Sequence, residues 1–381
     1  MEGKHRRGYP HNLGKIPQET SRTMSQNRFV SLRSTLTRSV SKELAMEKEA
    51  KETLNKFRVS SAIKADLKRL YPNDDWHWLL GWTADILVIA VAVGLFKLSP
   101  YAYPLTILLI GSRQRAFASL LHEAAHMTLA RNRRLSRFIG QYLTGLPVFQ
   151  DFDSYHHSHV KMHHHYLGDP HKDPDYIYYI ESGLQRSEDR YEFVFGHLLK
   201  TVFLFKVVSY LNYLIRHRLA ALLGSPIGAI KLLSVHAAIF AIFFPATGAS
   251  GYILFWLIPY LTTFQIIGWL SEVSEHFGLL GKEDEELLVT RNRFPAWWER
   301  LFIGMHGDNL HLTHHLLPGI PYWNLQKAHR ILMRDERYAV ANQQTGGIIS
   351  RGRYPRSVMR QILDGYRVQR SAAHGAVRSA A

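Results

Sequence analysis

Leu121-His122-Glu123-Ala124-Ala125-His126-Met127 closes a long apolar run in a chain of 381 residues. His122 and His126 are four apart, so a helix stacks them on one face, one turn above the other. Two imidazoles so placed can share a metal ion. His-Glu-x-x-His is also the zinc-protease signature, with the glutamate as general base. Two further clusters widen the choice: His159-x-x-x-His163-His164 and His311-x-x-His314-His315. All three follow or flank apolar segments.

Around these boxes the sequence predicts an all-α, polytopic membrane protein. Spans are expected over residues 78–98, from 103 into the first box, over 227–245 and over 252–270, each long enough to cross a bilayer core. Trp76, Trp78 and Trp82 form an aromatic belt at the first span. Short turns at 99–101 and 247–251 join the spans in pairs. Four spans then put both tails and all the histidine boxes on one side of the membrane. The formal net charge is +16, and Lys and Arg gather in the tails and beside the apolar runs. That is the positive-inside pattern, which makes this side cytoplasmic and argues against nucleic-acid binding, for which no reading motif is present. The first forty residues hold no apolar signal segment. With no cysteine, the chain has neither disulfides nor a thiolate or iron–sulfur site of its own.

The expected organisation is a basic, largely disordered segment at 1–60, a membrane domain at 61–340 and a basic tail at 341–381, of which the last thirty residues are expected to be loose. Within the first two, a solvated helix is expected over 42–58 and a short helix over 62–70. Residues 138–149 are too short to span. Residues 193–215, interrupted by His197, Lys200 and Lys206, read as an interfacial helix. The boxes themselves ride on a helical cap at the cytoplasmic face.

Eight histidines occupy the boxes: His122, His126, His159, His163, His164, His311, His314 and His315. His276, just after the fourth span, is a ninth. So many imidazoles are too many for one ion but suit two, and divalent iron accepts imidazole as readily as zinc does. In the third box, i, i+3 and i+4 share one face. In the second, α-helical geometry aligns His159 with His163 and turns His164 by about 100°, toward a second ion. His156, His157, His165, His171, His236, His306 and His329 lack such spacing and read as surface or interface residues.

With the boxes set out, the chain resembles the membrane fatty acid desaturase and hydroxylase superfamily. The resemblance rests on His122-Glu-Ala-Ala-His126, His159-Val-Lys-Met-His163-His164, and His311-Leu-Thr-His314-His315 followed by Leu-Leu-Pro-Gly-Ile-Pro, and it covers about residues 78–333. It implies a non-haem diiron centre with O2 as co-substrate, abstracting hydrogen from an unactivated C–H bond. It implies two electrons from a separate ferredoxin or cytochrome b5-type donor with its reductase. It also implies that His276 is a metal ligand. Relatives with Asn four residues before that histidine use it near the metals; here the position is Glu272, which can ligate, hydrogen-bond or orient from the second shell. Glu123 is read likewise as a residue beside the ligands.

The resemblance implies desaturation of an aliphatic chain, first of all in a fatty acyl lipid or thioester. The alternative is hydroxylation or desaturation of a small polar, amino-acid-like metabolite by the same centre, since some relatives resemble dihydrorhizobitoxine desaturase. A zinc protease using Glu123 explains neither the second nor the third box. Arg113 and Arg115 lie inside the second span, where a lipid-facing Arg costs about 2.5–3.5 kcal/mol or more. They are expected to line a substrate cavity or to pair with Asp85 or Glu272. Gln265, Trp269, Glu272 and His276 recur at spacings of four, three and four, a stripe expected to face the metals and the substrate.

Overall fold

A computed structural model of the chain describes residues 54–280 and 285–366. Residues 1–53, and with them most of the helix expected over 42–58, lie outside the described residues. The last residues of that stretch, 54–58, are extended rather than helical, and Asn55 bridges to Glu285. Among the described residues the structure is helical, with isolated bridges and no strand.

Helix α1 (Ser61–Lys68) starts where the Ser60 hydroxyl accepts from the Ile63 amide, and it buries Ile63 and Leu67. Helix α2 (His77–Leu98) is the first span. Its outward face leaves Leu87 and Val91 about three-fifths exposed, at 60% and 59%, as lipid-facing residues are. Three-residue turn Pro100–Ala102 reverses the chain into α3 (Tyr103–Ala125). Helix α3 is as long as a span but is mostly buried by protein from Ile110 onward, including Ser112, Arg113 and Gln114. The polar residues that made it look costly in lipid therefore never meet lipid. Close packing at Gly111 permits this: a Cβ there would sit 1.8 Å from Thr263 Oγ1.

Two further helices are long and apolar enough to cross a membrane, α9 (Pro226–Thr247) and α10 (Ser250–His276). With α2 they make three; α3 completes the four-helix set by length and position, not by hydropathy. Between box two and α9, helices α7 (Glu192–Val202) and α8 (Val207–Leu223) meet at 77°, a bent pair where one interfacial helix was expected. Helix α10 runs without a break into His276, so the fourth span delivers its last turn directly to the site. Its turns at Ile253–Leu257 and Tyr260–Phe264 carry i→i+5 hydrogen bonds.

The cap is built from α4 (Arg133–Phe138), α5 (Phe152–Tyr155) with its continuation His156–His163, α6 (Pro174–Glu181), α11 (Trp297–Arg300), α12 (His311–Leu316), α13 (Tyr322–Leu332) and α14 (Glu336–Ala341). Residues 139–148 pack inward: Leu146, Pro147 and Val148 are buried, and the His236 imidazole donates to the Leu146 carbonyl at 3.1 Å. The tail expected to be loose is packed up to residue 366. Ile348, Val358 and Ile362 are core residues, because apolar residues at 358, 359, 362, 363 and 366 make one stripe of a terminal helix.

Candidate metal centre

Nine imidazoles converge beneath the cap. His122, His126, His159, His164 and His314 form one group and His163, His276, His311 and His315 another, each with its donor atoms within 4.8 Å of one another. They come from α3, the helical stretch after α5, α10 and α12. Among the described residues no other histidine joins either group. His306, expected at the surface or an interface, has a nearly buried side chain and lies 2.7 Å from Asp85.

The second box divides differently from the α-helical expectation. Residues 156–163 are wound with i→i+5 hydrogen bonds, and the His164 amide donates to the His159 carbonyl at 3.0 Å. The wider turn stacks His164 over His159, so these two share a group and His163 turns to the other. In the third box His314 joins the first group while His311 and His315 join the second.

The nitrogens point inward. His276 Nε2 and His315 Nε2 are each 3.1 Å from His311 Nε2. His164 Nε2 lies 3.2 Å from His159 Nε2 and 3.3 Å from His314 Nε2. Nitrogens bound about 2.0–2.1 Å from one ion at tetrahedral or right angles are about 2.8–3.4 Å apart. The Nε2 atoms of His122 and His126 are buried with no hydrogen-bond partner, an unfavourable state for polar atoms unless something accepts their lone pairs. The donor set fits two imidazole-bound metal ions.

Electrostatics favour the ligand form. Burial, reinforced by neighbouring imidazoles, holds His159, His164, His311, His314 and His315 well below the usual histidine range. Neutral rings keep the lone pair that a metal needs. His163 runs the other way, pushed up to about 9, because Asp173 and Asp175 outweigh its burial. Its Nδ1 donates to Asp173 Oδ1 at 2.9 Å and lies 3.3 Å from Asp175 Oδ2. Such a carboxylate–imidazole pair fixes the ring and leaves Nε2 free to ligate. His276 Nδ1 donates to the Val289 carbonyl at 3.0 Å to the same effect.

Glu123 is already engaged. Its carboxylate accepts from the Thr128 hydroxyl at 2.9 Å and the Tyr322 amide at 3.0 Å, and Oε1 stands 3.4 Å from His122 Nδ1. That arrangement orients His122 and ties α3 to α13.

A polar pocket lies against both groups. Arg115, Tyr155, Asp175, Arg218, Glu272, Glu275 and Asp308 wall it together with His122, His159, His163, His311 and His314, around about 30 Å3 of open room. That is space for one or two waters. Arg115 donates to Asp308 at 2.9 Å and to Ser119 at 3.0 Å, so its partner is neither Asp85 nor Glu272. Arg113 turns away from the pocket: it reaches Asp85 Oδ1 at 3.3 Å and the Leu301 carbonyl at 2.5 Å. Gln265 and Trp269 are buried in α10 but do not wall the pocket, because at about 1.5 Å per residue they stand roughly 10 and 4.5 Å further along the helix than Glu272. Glu272 reaches the wall. Its backbone carbonyl accepts from Tyr179 at 2.7 Å, and its carboxylate is not among the converging donor atoms.

Several wall residues carry no sequence signature. Asp173 is the N-cap of α6, accepting from the Asp175 amide. Burial raises the Asp175 carboxyl, but His163 and Arg218 hold it below the usual range. Arg293 is buried and bridges Asp308 at 2.7 Å and Glu275 at 3.2 Å. Adjacency was the one available clue: Glu275 precedes His276, and Asp308 stands three residues before His311.

The fatty acid desaturase family model matches residues 98–345, a stretch that includes all nine histidines. The chain belongs to the fatty acid desaturase family. It is 36% identical over 302 residues to the dihydrorhizobitoxine desaturase of Bradyrhizobium elkanii, covering 77% of this chain and 85% of that protein. It is 24% identical over 309 residues to the sn-1 oleoyl-lipid 12-desaturase of a Picosynechococcus species, covering 75% and 83%. It is 27% identical over 213 residues to the zeaxanthin 4-ketolase of Chlamydomonas reinhardtii, covering 55% and 40%. This family member is a membrane-embedded oxidoreductase.

Proposed function

We propose that this desaturase acts on a small aliphatic compound carrying charged or polar groups, amino-acid-like in character, through two irons held by the nine histidines. The observation that carries the reading is the charged pocket wall facing the histidine groups, where Arg115, Arg218, Glu275 and Asp308 have ion-pair partners and Glu272, among the described residues, has none. Buried charges of this kind are costly beside a plain hydrocarbon chain and favourable beside a substrate that pairs with them. The likeness to dihydrorhizobitoxine desaturase supports the same reading.

Bound there, a pair of irons supplies O2 activation and the removal of hydrogen from an unactivated C–H bond. Two electrons come from a separate donor of the ferredoxin or cytochrome b5 type with its reductase. The protein contributes orientation. Asp173 and Glu123 fix His163 and His122. Arg115, itself held by Asp308 and Ser119, offers guanidinium N–H groups to an acid group that takes the place of the one or two waters for which the pocket has room. Glu272 offers an acceptor to an ammonium or hydroxyl. The termini and the site are assigned to the cytoplasmic side by the positive-inside pattern.

A second reading, desaturation of a fatty acyl lipid or thioester, is favoured by the likeness to the sn-1 oleoyl-lipid 12-desaturase. One experiment separates the two: mass spectrometry of lipids and polar metabolites from cells expressing the protein or its His314→Ala variant. The expected result is a polar metabolite lighter by two hydrogens only with the unmodified protein. A new double bond in the lipids, with polar metabolites unchanged, would establish the second reading instead.

A further inference from the structure

Across the second-box helix from the histidines is a groove of about 900 Å3. Ser154, His157, Ser158 and Met162 line it, whereas Tyr155, His159 and His163 line the pocket at the metal centre. The two cavities share a helix, not a face. Five cationic side chains surround the groove: Arg134, Arg137, Lys172, Arg216 and Lys231. Only Asp151 and Asp153 oppose them within it. Asp153 is taken by Arg137, Asp151 by Gln141 and Ser154, and Arg216 reaches outward to Glu181 at 3.2 Å. Among the described residues Arg134 and Lys231 form no ion pair of this kind.

The position of the groove identifies the ligand chemistry. Lys231 stands in the second turn of α9, an apolar membrane helix that begins at Pro226. Beside it on that helix Ile227 and Ile230 are 68% and 62% exposed, and across the groove Phe138 is 52% exposed. The cations thus crown an apolar surface at the end of a span. A long Lys or Arg there carries its charge to the membrane interface while its stem stays against apolar groups. Basic pockets beside membrane helices suit anionic headgroups.

We propose that this groove binds an anionic phospholipid, with Arg134 and Lys231 on the headgroup phosphate and the acyl chains along Phe138, Ile227 and Ile230. The ligand is a structural or regulatory lipid at the rim, separate from the substrate pocket. An acidic protein would meet the same cations, but it would not use the apolar surface beneath them.

The test uses the full-length, metal-loaded protein in detergent, with native mass spectrometry of retained dioleoylphosphatidylglycerol against dioleoylphosphatidylcholine. Retention of the glycerol lipid is expected to exceed that of the choline lipid, and to fall about fivefold for each cation removed in Arg134→Gln and Lys231→Gln. Lys97→Gln, at the far end of α2, should change nothing. Added inorganic phosphate should not displace the lipid. Equal retention of the two lipids by the unmodified protein would overturn the proposal without any variant. So would full displacement by phosphate, which would make this a free-anion site. A third contrary result is unchanged lipid retention in both variants with loss of turnover driven by an acidic ferredoxin, which would assign the groove to protein docking.

Discussion

His276 Nε2 and His311 Nε2 lie 3.1 Å apart although 35 residues separate them in the chain. One comes from the last turn of a membrane helix and the other from the cap. Their meeting divides nine histidines into a group of five and a group of four. Each group should therefore be separable. The unmodified protein is expected to hold about two irons per chain, and His276→Ala about one, since each set of imidazoles binds its own ion. Iron by plasma mass spectrometry, beside protein quantification, reads this directly. Turnover should vanish on Ala substitution at any box histidine. A protein with one zinc and no iron would sink the assignment.

Asp173 is the carboxylate that fixes His163. Replacing it by Asn removes the charge and keeps the shape. A loss of ten- to a hundredfold in metal affinity or activity is expected, the usual cost of such a change. Glu123→Gln should be milder, because the remaining amide oxygen can still accept from the Tyr322 amide or the Thr128 hydroxyl. Metal content should stay near two irons, with partial activity. Competition with a chelator of known affinity ranks the variants, and an Asp173→Asn protein that loads iron like the unmodified one would contradict the role.

What the sequence made legible follows a physical divide. Ligands spaced by helix periodicity, such as His122 with His126, announce themselves, and so do apolar runs of span length. The partner assignment within the second box did not, since it depends on an i→i+5 turn between His159 and His164 that side-chain identities do not encode. Asp308 and Arg293 were invisible for another reason. Their meaning arises only where the turn through His306 and Gly307, both at positive φ, brings Asp308 beneath Arg115. The packed helix near Val358 was missed because its basic residues outweighed a short apolar stripe.

Asp85 is buried in the first span, where it receives Arg113 at 3.3 Å and His306 at 2.7 Å. Removing one member of a buried pair leaves the other charge uncompensated, at a cost of about 3–5 kcal/mol. Asp85→Ala should lower the thermal unfolding midpoint in detergent by many degrees. Arg113→Met together with Asp85→Leu should recover much of that loss, because an apolar pair leaves no orphan charge. Apparent KM should not move in Arg113→Met alone, since Arg113 faces away from the pocket and Asp85 still holds His306 at the pocket wall. A changed KM at full iron content would restore Arg113 to substrate binding.

Glu272 offers the sharpest distinction between holding metal and holding substrate. It stands four residues before His276 on α10, one turn away, and it walls the pocket beside Arg115, Asp175 and Arg218. Arg218 contacts Asp175, and Arg115 contacts Asp308, so both neighbouring guanidinium groups have closer carboxylates than Glu272. Its own carboxylate stands outside both imidazole groups. A metal ligand at this position would make Glu272→Gln lose iron, because an amide is a weaker ligand than a carboxylate for a hard divalent ion. A substrate anchor would keep both irons and raise the apparent KM, by a factor of about ten if a charge-assisted hydrogen bond becomes a neutral one. The second outcome is expected. It is read from iron per chain and from product formed at graded concentrations of the metabolite found by mass spectrometry. Loss of one iron in Glu272→Gln, with KM unchanged for the fraction still active, would make Glu272 a ligand instead.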